Sequence, residues 1–455
     1  MMSKSINRIR CAALLIFLIS TVALVNAPAE SWKQVIVRCF SGDLDKVRTE
    51  VGGAILDASH GHYLLMVPAS VDISQIEGVK GRYAIEASDN PRVEIERRPL
   101  KTRSVTTSTR SAGPIVNYYG TPARKAYADQ QTSLNISLRE ALNLSLGDSV
   151  RIAIIDTGID EKHPTLQPYI RGGKNYVGWN SNPSELIDPT LSQGQITFME
   201  SQGQVTFMDA QGQVTFMDAQ GQVTFMDAQG QITFMDAQGQ ITFMDAALLP
   251  PAFGHGTMVA GLAHLAAPHA TIVPFKAFDA TGAGSEWNVV RAVYDAIDAG
   301  ADIINMSFSA TKKSKLLEAA IKAAEAQGIV VVAAAGNDGD DVKTYPASVD
   351  EAIGIAALDA KNNKASFSNF GQYIDLSAPG VDLVTTYPGG HFAMGSGTSD
   401  AAPLVSGVAA LAKRRGTRGM SLRDKLEASV DPIDVSPEYK NKLGSGRINA
   451  LKAVK

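Results

Sequence analysis

Beyond Val150 the chain alternates two hydrophobic patterns. Short, almost continuously apolar runs cover residues 151–155, 271–278, 302–306 and 329–335, with a further candidate at 352–357. Their apolar character on successive positions is what a parallel sheet buried on both faces requires. Between them, residues 286–299 bring Trp287, Val290, Tyr294 and Ile297 onto one helical face, and residues 315–327 do the same with Leu316, Ala320, Ile321 and Ala324. Gly300 and Gly328 follow directly, where a helix is closed by a residue that tolerates left-handed backbone. Residues 404–412 add another apolar helical segment. Strands alternating with helices predict an α/β fold, a three-layer sandwich around a mostly parallel buried sheet. Ligands are then expected at the carboxyl ends of its strands.

Ahead of this region the pattern is different. Residues 34–40 are strand-like, 43–51 helical, and 54–68 read as two strands around a turn at Ser59, His60, Gly61 and His62. A second helical stretch at 71–79 and alternation at 92–96 complete a strand-helix-strand-strand-helix-strand order, which predicts a small α+β domain of ferredoxin type over residues 30–97. His60 and His62 have no carboxylate or thiol cluster beside them and read as turn residues. Residues 98–133 are basic, then rich in Ser and Thr, and are expected to be a linker. The main domain then spans 134–455. It opens with Ser137-Leu138-Arg139-Glu140, the spacing of a capping box before a short helix.

One stretch breaks the pattern. Residues 192–245 are six near-identical copies of a nonapeptide, SQGQITFME passing into AQGQITFMD. Within each copy Val or Ile and Phe alternate with Thr and Met, a strand period, and Gln-Gly-Gln supplies a turn. Near-identity implies recent tandem expansion of a surface connection. The alternative is a stacked β array that binds its own kind or a surface partner.

Composition narrows the setting. The chain has 455 residues, 45% hydrophobic and 19% charged, enough for more than one domain, and its formal net charge of -4 leaves no footprint for nucleic acid. Its two cysteines, Cys11 and Cys39, both precede the main domain, which therefore has no disulfide framework. Residues 1–29 place Lys4, Arg8 and Arg10 before an apolar run and then Ala27-Pro28-Ala29. This is the layout of a cleaved signal peptide, implying a secreted, periplasmic or cell-surface product with no membrane attachment after cleavage.

Candidate chemistry sits in four stretches. Ser399 lies in GSGTSDAAP, Asp156 closes the apolar run RIAIID, His255 lies in GHGTMVAG, and Asn337 ends GIVVVAAAGN. A serine on a glycine-rich turn before a helix is, taken alone, most often an N-cap. Together with a histidine and a carboxylate it becomes a candidate nucleophile, because a hydroxyl needs a base within reach and the imidazole needs a carboxylate to hold its tautomer and stabilise its cation. Asp160 is the weaker alternative for that carboxylate and reads as turn chemistry.

With those residues in hand the chain resembles the subtilisin-like serine peptidases, the subtilases. The resemblance implies an exported serine endopeptidase acting on polypeptide substrates through a Ser-His-Asp acyl-enzyme mechanism, with Asp156, His255 and Ser399 as the triad and Asn337 as oxyanion donor. It also implies that residues 30–97 are a propeptide, acting as folding template and intramolecular inhibitor, and that Ser307, Phe308, Ser309 and Gly336 border an extended substrate. Ser309 and Ala310 depart from the glycines common there. No metal or organic cofactor is required; calcium is common in the family, but its ligands cannot be matched to residues here. Asp400 is a second departure, a carboxylate where an uncharged residue is usual. At about 6 Å and an effective dielectric of 20 it would oppose an oxyanion by roughly 3 kcal/mol. It is therefore expected to point away or be neutralised, or else the enzyme is slow. The other reading is a catalytically weak or inactive subtilase-fold protein that binds partners or displays the repeat array.

Overall fold

The computed structural model describes residues 32–39, 44–45, 53–71, 84–89, 92–94, 114–178, 182–186, four short repeat strands, 250, 252–416 and 420–455. The expected signal peptide, the helix at 71–79 beyond its first residue, and residues 98–113 of the expected linker lie outside these. The chain divides into two compact units, residues 1–90 and 91–455.

In the first unit, β1 (Trp32–Cys39), β2 (Ala54–Ser59), β3 (His62–Pro68) and β4 (Ala84–Asp89) form an antiparallel sheet in the order β2-β3-β1-β4. Val35, Ile36, Val37, His62, Tyr63, Leu64, Leu65 and Val67 are among its buried residues. The fourth strand is 84–89 and not 92–96 as expected. The segment β5 (Arg92–Glu94) belongs to the second unit and forms an antiparallel two-stranded sheet with Ala283–Ser285.

The second unit begins earlier than residue 134. A hairpin of β6 (Ile115–Tyr118) and β7 (Thr121–Arg124) leads into helix α1 (Lys125–Ser133). Tyr118, Ala123 and Tyr127 are buried in the main core, and the two tyrosine hydroxyls donate to the carbonyls of Leu265 and Gly261. Apolar anchors therefore overrule the linker-like composition. Helix α2 (Leu138–Leu142) follows, without the expected capping box. Ser137 has φ 54° and its side chain makes no cap hydrogen bond, since left-handed backbone at this position turns the hydroxyl from the helix's first N–H groups.

The main sheet has the strands expected, within about two residues. In chain order they are β8 (Arg151–Asp156), β9 (Lys174–Asn175), β14 (Thr271–Lys276), β16 (Ile303–Met306), β17 (Val330–Ala334), β18 (Ala352–Leu358), β19 (Leu376–Pro379), β22 (Val430–Asp431) and β23 (Arg447–Ile448). They lie in the order β22-β23-β19-β18-β17-β16-β8-β14-β9, every neighbouring pair parallel except β22 with β23. Most central positions are wholly buried, which accounts for the lack of polar alternation. The helices are α3 (His255–Ala266), α4 (Glu286–Asp298), α5 (Lys315–Glu325), α6 (Thr398–Arg415), α7 (Leu422–Glu427) and α8 (Ala450–Val454). Gly300 and Gly328 both take positive φ after α4 and α5, as expected.

A separate hairpin, β20 (Leu383–Tyr387) with β21 (His391–Gly395), runs directly into α6. Among the described residues, four repeat copies contribute strands, β10 (Thr215–Met217), β11 (Val223–Phe225), β12 (Gln231–Met235) and β13 (Ile241–Asp245). β10 pairs with β11 and adds to the free edge of β21, while β12 pairs with β13. On either side of the insertion, Leu186 and Phe253 pack into one apolar cluster with Met258, Ala280, Tyr387 and Ala393.

Candidate active site

Asp156 is the last residue of β8, so the sheet delivers its carboxylate at a carboxyl end, in a site where it is 1% exposed. His255 is the first residue of α3, after Gly254 with φ 88° as N-cap. Its Nδ1 lies 2.7 Å from Asp156 Oδ1. The same oxygen accepts the Thr157 backbone N–H at 2.7 Å, whereas Asp156 Oδ2 is buried with no partner. Gly256 makes this closeness achievable: a Cβ there would stand 2.0 Å from the Gly158 carbonyl oxygen and 3.1 Å from its carbon. A side chain after the histidine would push α3 away from the turn that follows Asp156.

Burial disfavours the His255 cation, but the charge and hydrogen bond of Asp156, reinforced by Asp400 and Glu185, raise its pKa to about 9. An imidazole so placed has one nitrogen fixed by a carboxylate and the other available as a base.

Ser399 is the second residue of α6, and the N-cap is Gly397, so the serine is not the capping residue. Helices α3 and α6 pack closely where Gly407 meets α3; a Cβ on Gly407 would stand 2.4 Å from the Ala266 Cβ. The helix opening with His255 and the helix opening with Thr398 and Ser399 are thus locked together. Ser307 Oγ donates to the Ser399 carbonyl oxygen at 2.9 Å.

Asn337 lies three residues beyond β17. Its Oδ1 accepts the Thr398 backbone N–H at 2.9 Å and the Thr398 hydroxyl at 3.0 Å. Because a backbone N–H can only donate, this fixes the amide orientation, with Oδ1 anchored on the residue before Ser399 and Nδ2 left as the donor end. The Gly336 backbone N–H donates to Thr398 Oγ1 at 3.0 Å.

The anticipated substrate strand is only partly a strand. β16 ends at Met306, and Ser307, Phe308 and Ser309 continue as buried, irregular backbone before Ala310 bridges to Tyr345. Phe308 stacks obliquely on Phe278, 4.9 Å between centroids. Asp160 serves its turn, accepting the N–H groups of Lys162 and Gly389 at 3.0 and 2.9 Å. His163 is fully buried, 2.8 Å from the His391 carbonyl oxygen, and His264 is buried beside Tyr118.

Asp400 is 5% exposed, and its carboxylate is directed at the Cα of Gly395, whose missing Cβ would stand 2.9 Å away. Burial raises its pKa to about 7, against the pull of His255 and with the push of Asp156. It is therefore partly neutral at neutral pH.

Two features had no signal in the sequence. The first is the short strand β15 (Ala283–Ser285), which pairs with β5. The second is Glu185, wholly buried behind the Asp156–His255 pair. Among the described residues no group of three or more His, Cys, Asp or Glu is placed to hold a metal ion.

The Subtilase family profile matches residues 147–430. The chain is 35% identical to the "Thermophilic serine proteinase" of Bacillus sp. (strain AK1), over 82% of this chain and 81% of that protein. It is 30% identical to "Thermitase" of Thermoactinomyces vulgaris, over 70% of this chain and 93% of that one. It is 36% identical to "Subtilisin Savinase" of Lederbergia lenta, over 44% of this chain and 78% of that one.

Proposed function

From the premise that the chain belongs to the subtilase family and is a serine endopeptidase acting on polypeptides, we propose that Ser399, His255 and Asp156 form its catalytic triad, in an exported enzyme made as an autoinhibited precursor. The observation that carries the triad is the 2.7 Å contact of His255 Nδ1 with Asp156 Oδ1, at the start of a helix packed on the one that opens with Ser399. In this reading the neutral imidazole takes the Ser399 proton as the hydroxyl attacks the scissile carbonyl, and later passes it to the leaving amine. Asn337 Nδ2 and the Ser399 backbone N–H, in the open first turn of α6, stabilise the oxyanion.

Autoinhibition is supported by β5. Arg92–Glu94 lies antiparallel to Ala283–Ser285, the two forming a two-stranded sheet by main-chain pairing of the kind that binds extended peptides. In this reading the chain's own residues 92–94 take up backbone groups of residues 283–285 that an extended substrate would otherwise pair with. Export rests on the signal-like residues 1–29; among the described residues no helix is long and apolar enough to cross a membrane.

The test is incubation of the purified chain with a denatured protein, beside Ser399→Ala and with a fluorophosphonate label. Cleavage and labelling at Ser399, both lost in the variant, support the triad. An unlabelled, inert wild-type chain removes it.

A second role for the repeats has its own observation, since β10 adds to β21 and pairs onward with β11. Units that pair as strands within one chain are suited to pairing between chains. Comparing self-association of the chain with and without residues 192–245 decides this, and equal association removes it.

A further inference from the structure

Glu185 holds a carboxylate where no reacting group is expected. Its loop is seated on the segment after β8 by backbone bonds, Ile159 N–H to the Pro183 carbonyl at 3.0 Å and Glu185 N–H to the Ile159 carbonyl at 3.2 Å. The side chain is 2% exposed and receives donors from two directions. From the turn after Asp156, the Thr157 hydroxyl donates to Oε1. From the first turn of α3, the Gly256 N–H reaches Oε1 at 3.2 Å, the Thr257 N–H reaches Oε2 at 3.2 Å, and the Thr257 hydroxyl also donates to Oε2.

The pattern is that of a helix cap supplied from outside the helix. In α4, α5 and α7 a local serine, Ser285, Ser314 or Ser421, accepts an N–H of the first turn. The cap of α3 is Gly254, which has no side chain. Glu185 fills that role with a carboxylate, where the helix dipole favours an anion. It also takes the single proton of Thr157, whose hydroxyl lies 3.3 Å from Asp156 Oδ1 and accepts the Gly256 N–H at 2.9 Å.

We propose that Glu185 is a positioning residue for the Asp156–His255 pair, clamping the turn that carries the carboxylate to the helix turn that carries the imidazole. It touches no reacting atom. Its kinetic consequence rests on the triad reading; its geometric consequence does not. Its charge acts in the same direction as its hydrogen bonds, since it lies with Asp156 and Asp400 among the anions that favour the His255 cation. Lys276, buried at the end of β14 and donating to the carbonyls of Thr157 and Phe278, opposes part of that charge, and Tyr387 from β20 lies within its field. Burial raises the Glu185 pKa to about 7, against the hydrogen bonds of Thr157 and Thr257. The clamp is therefore fully anionic only on the alkaline side of neutrality.

The experiment compares wild type, Glu185→Gln, Thr157→Val and Thr157→Ser in the full chain, with rates per site titrated at Ser399. Losing a charged clamp is expected to lower kcat about ten- to a hundredfold in Glu185→Gln and Thr157→Val, with KM within about twofold and Thr157→Ser near wild type. The acid limb of kcat/KM moves to lower pH in Glu185→Gln. In a Ser399→Ala background, proton NMR is expected to show the His255 Nδ1–H resonance shifted or broadened by Glu185→Gln. Unchanged rates, pH limb and resonance, with only a lowered Tm, would reduce Glu185 to a fold brace and overturn the proposal. Failure of wild type to label at Ser399 removes the triad reading instead, and the resonance still decides the clamp.

Discussion

Asn337 turns its side-chain oxygen onto the backbone N–H of Thr398, 2.9 Å away. That bond joins the loop after β17 to the first turn of the helix bearing Ser399, and it settles which end of the amide can donate. Replacing Asn337 by Ala removes both the donor and the tie. Turnover is expected to fall about 100- to 1000-fold with little change in KM, beside a stability loss of about 1 kcal/mol. Steady-state kinetics with a soluble peptide, together with a denaturant titration, check it; a near-wild-type kcat takes Asn337 out of the mechanism.

The field around His255 sets a pH dependence. Only the neutral imidazole can accept the serine proton, and Asp156, Asp400 and Glu185 together outweigh burial and raise its pKa to about 9. The acid limb of kcat/KM is therefore expected well above the ordinary histidine range, climbing towards pH 9. In stability the sign is the reverse: the raised pKa stabilises the fold fully below the unfolded value of about 6.5, and that contribution is lost as pH rises through about 9. A limb centred at or below about 6.5 contradicts the electrostatic account.

Asp400 gives a separate readout. Its folded pKa of about 7 exceeds the ordinary 3.8, so the fold binds that proton more tightly than the unfolded chain does. The resulting destabilisation grows from about pH 4 to about pH 7 and then stays constant. Asp400→Asn, measured in a Ser399→Ala background to avoid self-digestion, is expected to be more stable at pH 8 by on the order of 1–3 kcal/mol, with no gain at pH 4. With Ser399 intact, the same change should move the acid limb to lower pH, since one of the anions favouring the imidazolium is gone. A pH-independent difference in stability would show that the carboxylate is not titrating in the fold.

Removing four repeat copies, residues 201–236, is expected to leave kcat/KM within about twofold, because β21 keeps its pairing with β20 when β10 is gone. Loss of activity with a collapsed Tm would make the array part of the fold.

The sheet and the Asp156–His255 contact were legible because their signals are local. Apolar runs marked β8, β16 and β17, and glycine-flanked motifs marked the turns from which the two side chains project. What was missed depends on partners distant in sequence. Nothing around Glu185 marks it; it acquires a role only because the loop at Pro183 pairs with Ile159 and turns the carboxylate towards α3. Residues 92–94 have the alternation of a sheet strand, but alternation does not name a partner, and the partner is Ala283–Ser285. The Ser137 capping box failed because spacing alone cannot report a left-handed φ. The boundary at residue 134 was too late because Ser/Thr-rich composition upstream masked Tyr118 and Tyr127, two side chains that the core needs. β19 to β21 escaped notice because Ser and Thr within them satisfy their hydroxyls internally, Thr385 and Thr386 donating to the carbonyls of Met258 and Thr257.

Leu186 and Phe253 share one apolar cluster, so the two flanks of the insertion have a common footing. A detour whose two ends share a footing can be lengthened or shortened by whole copies while the groups on either side keep their places. Replication slippage at such identical units would then generate variants that differ in the size of an appendage and not in their chemistry, which makes copy number a heritable dial that selection can turn independently of catalysis.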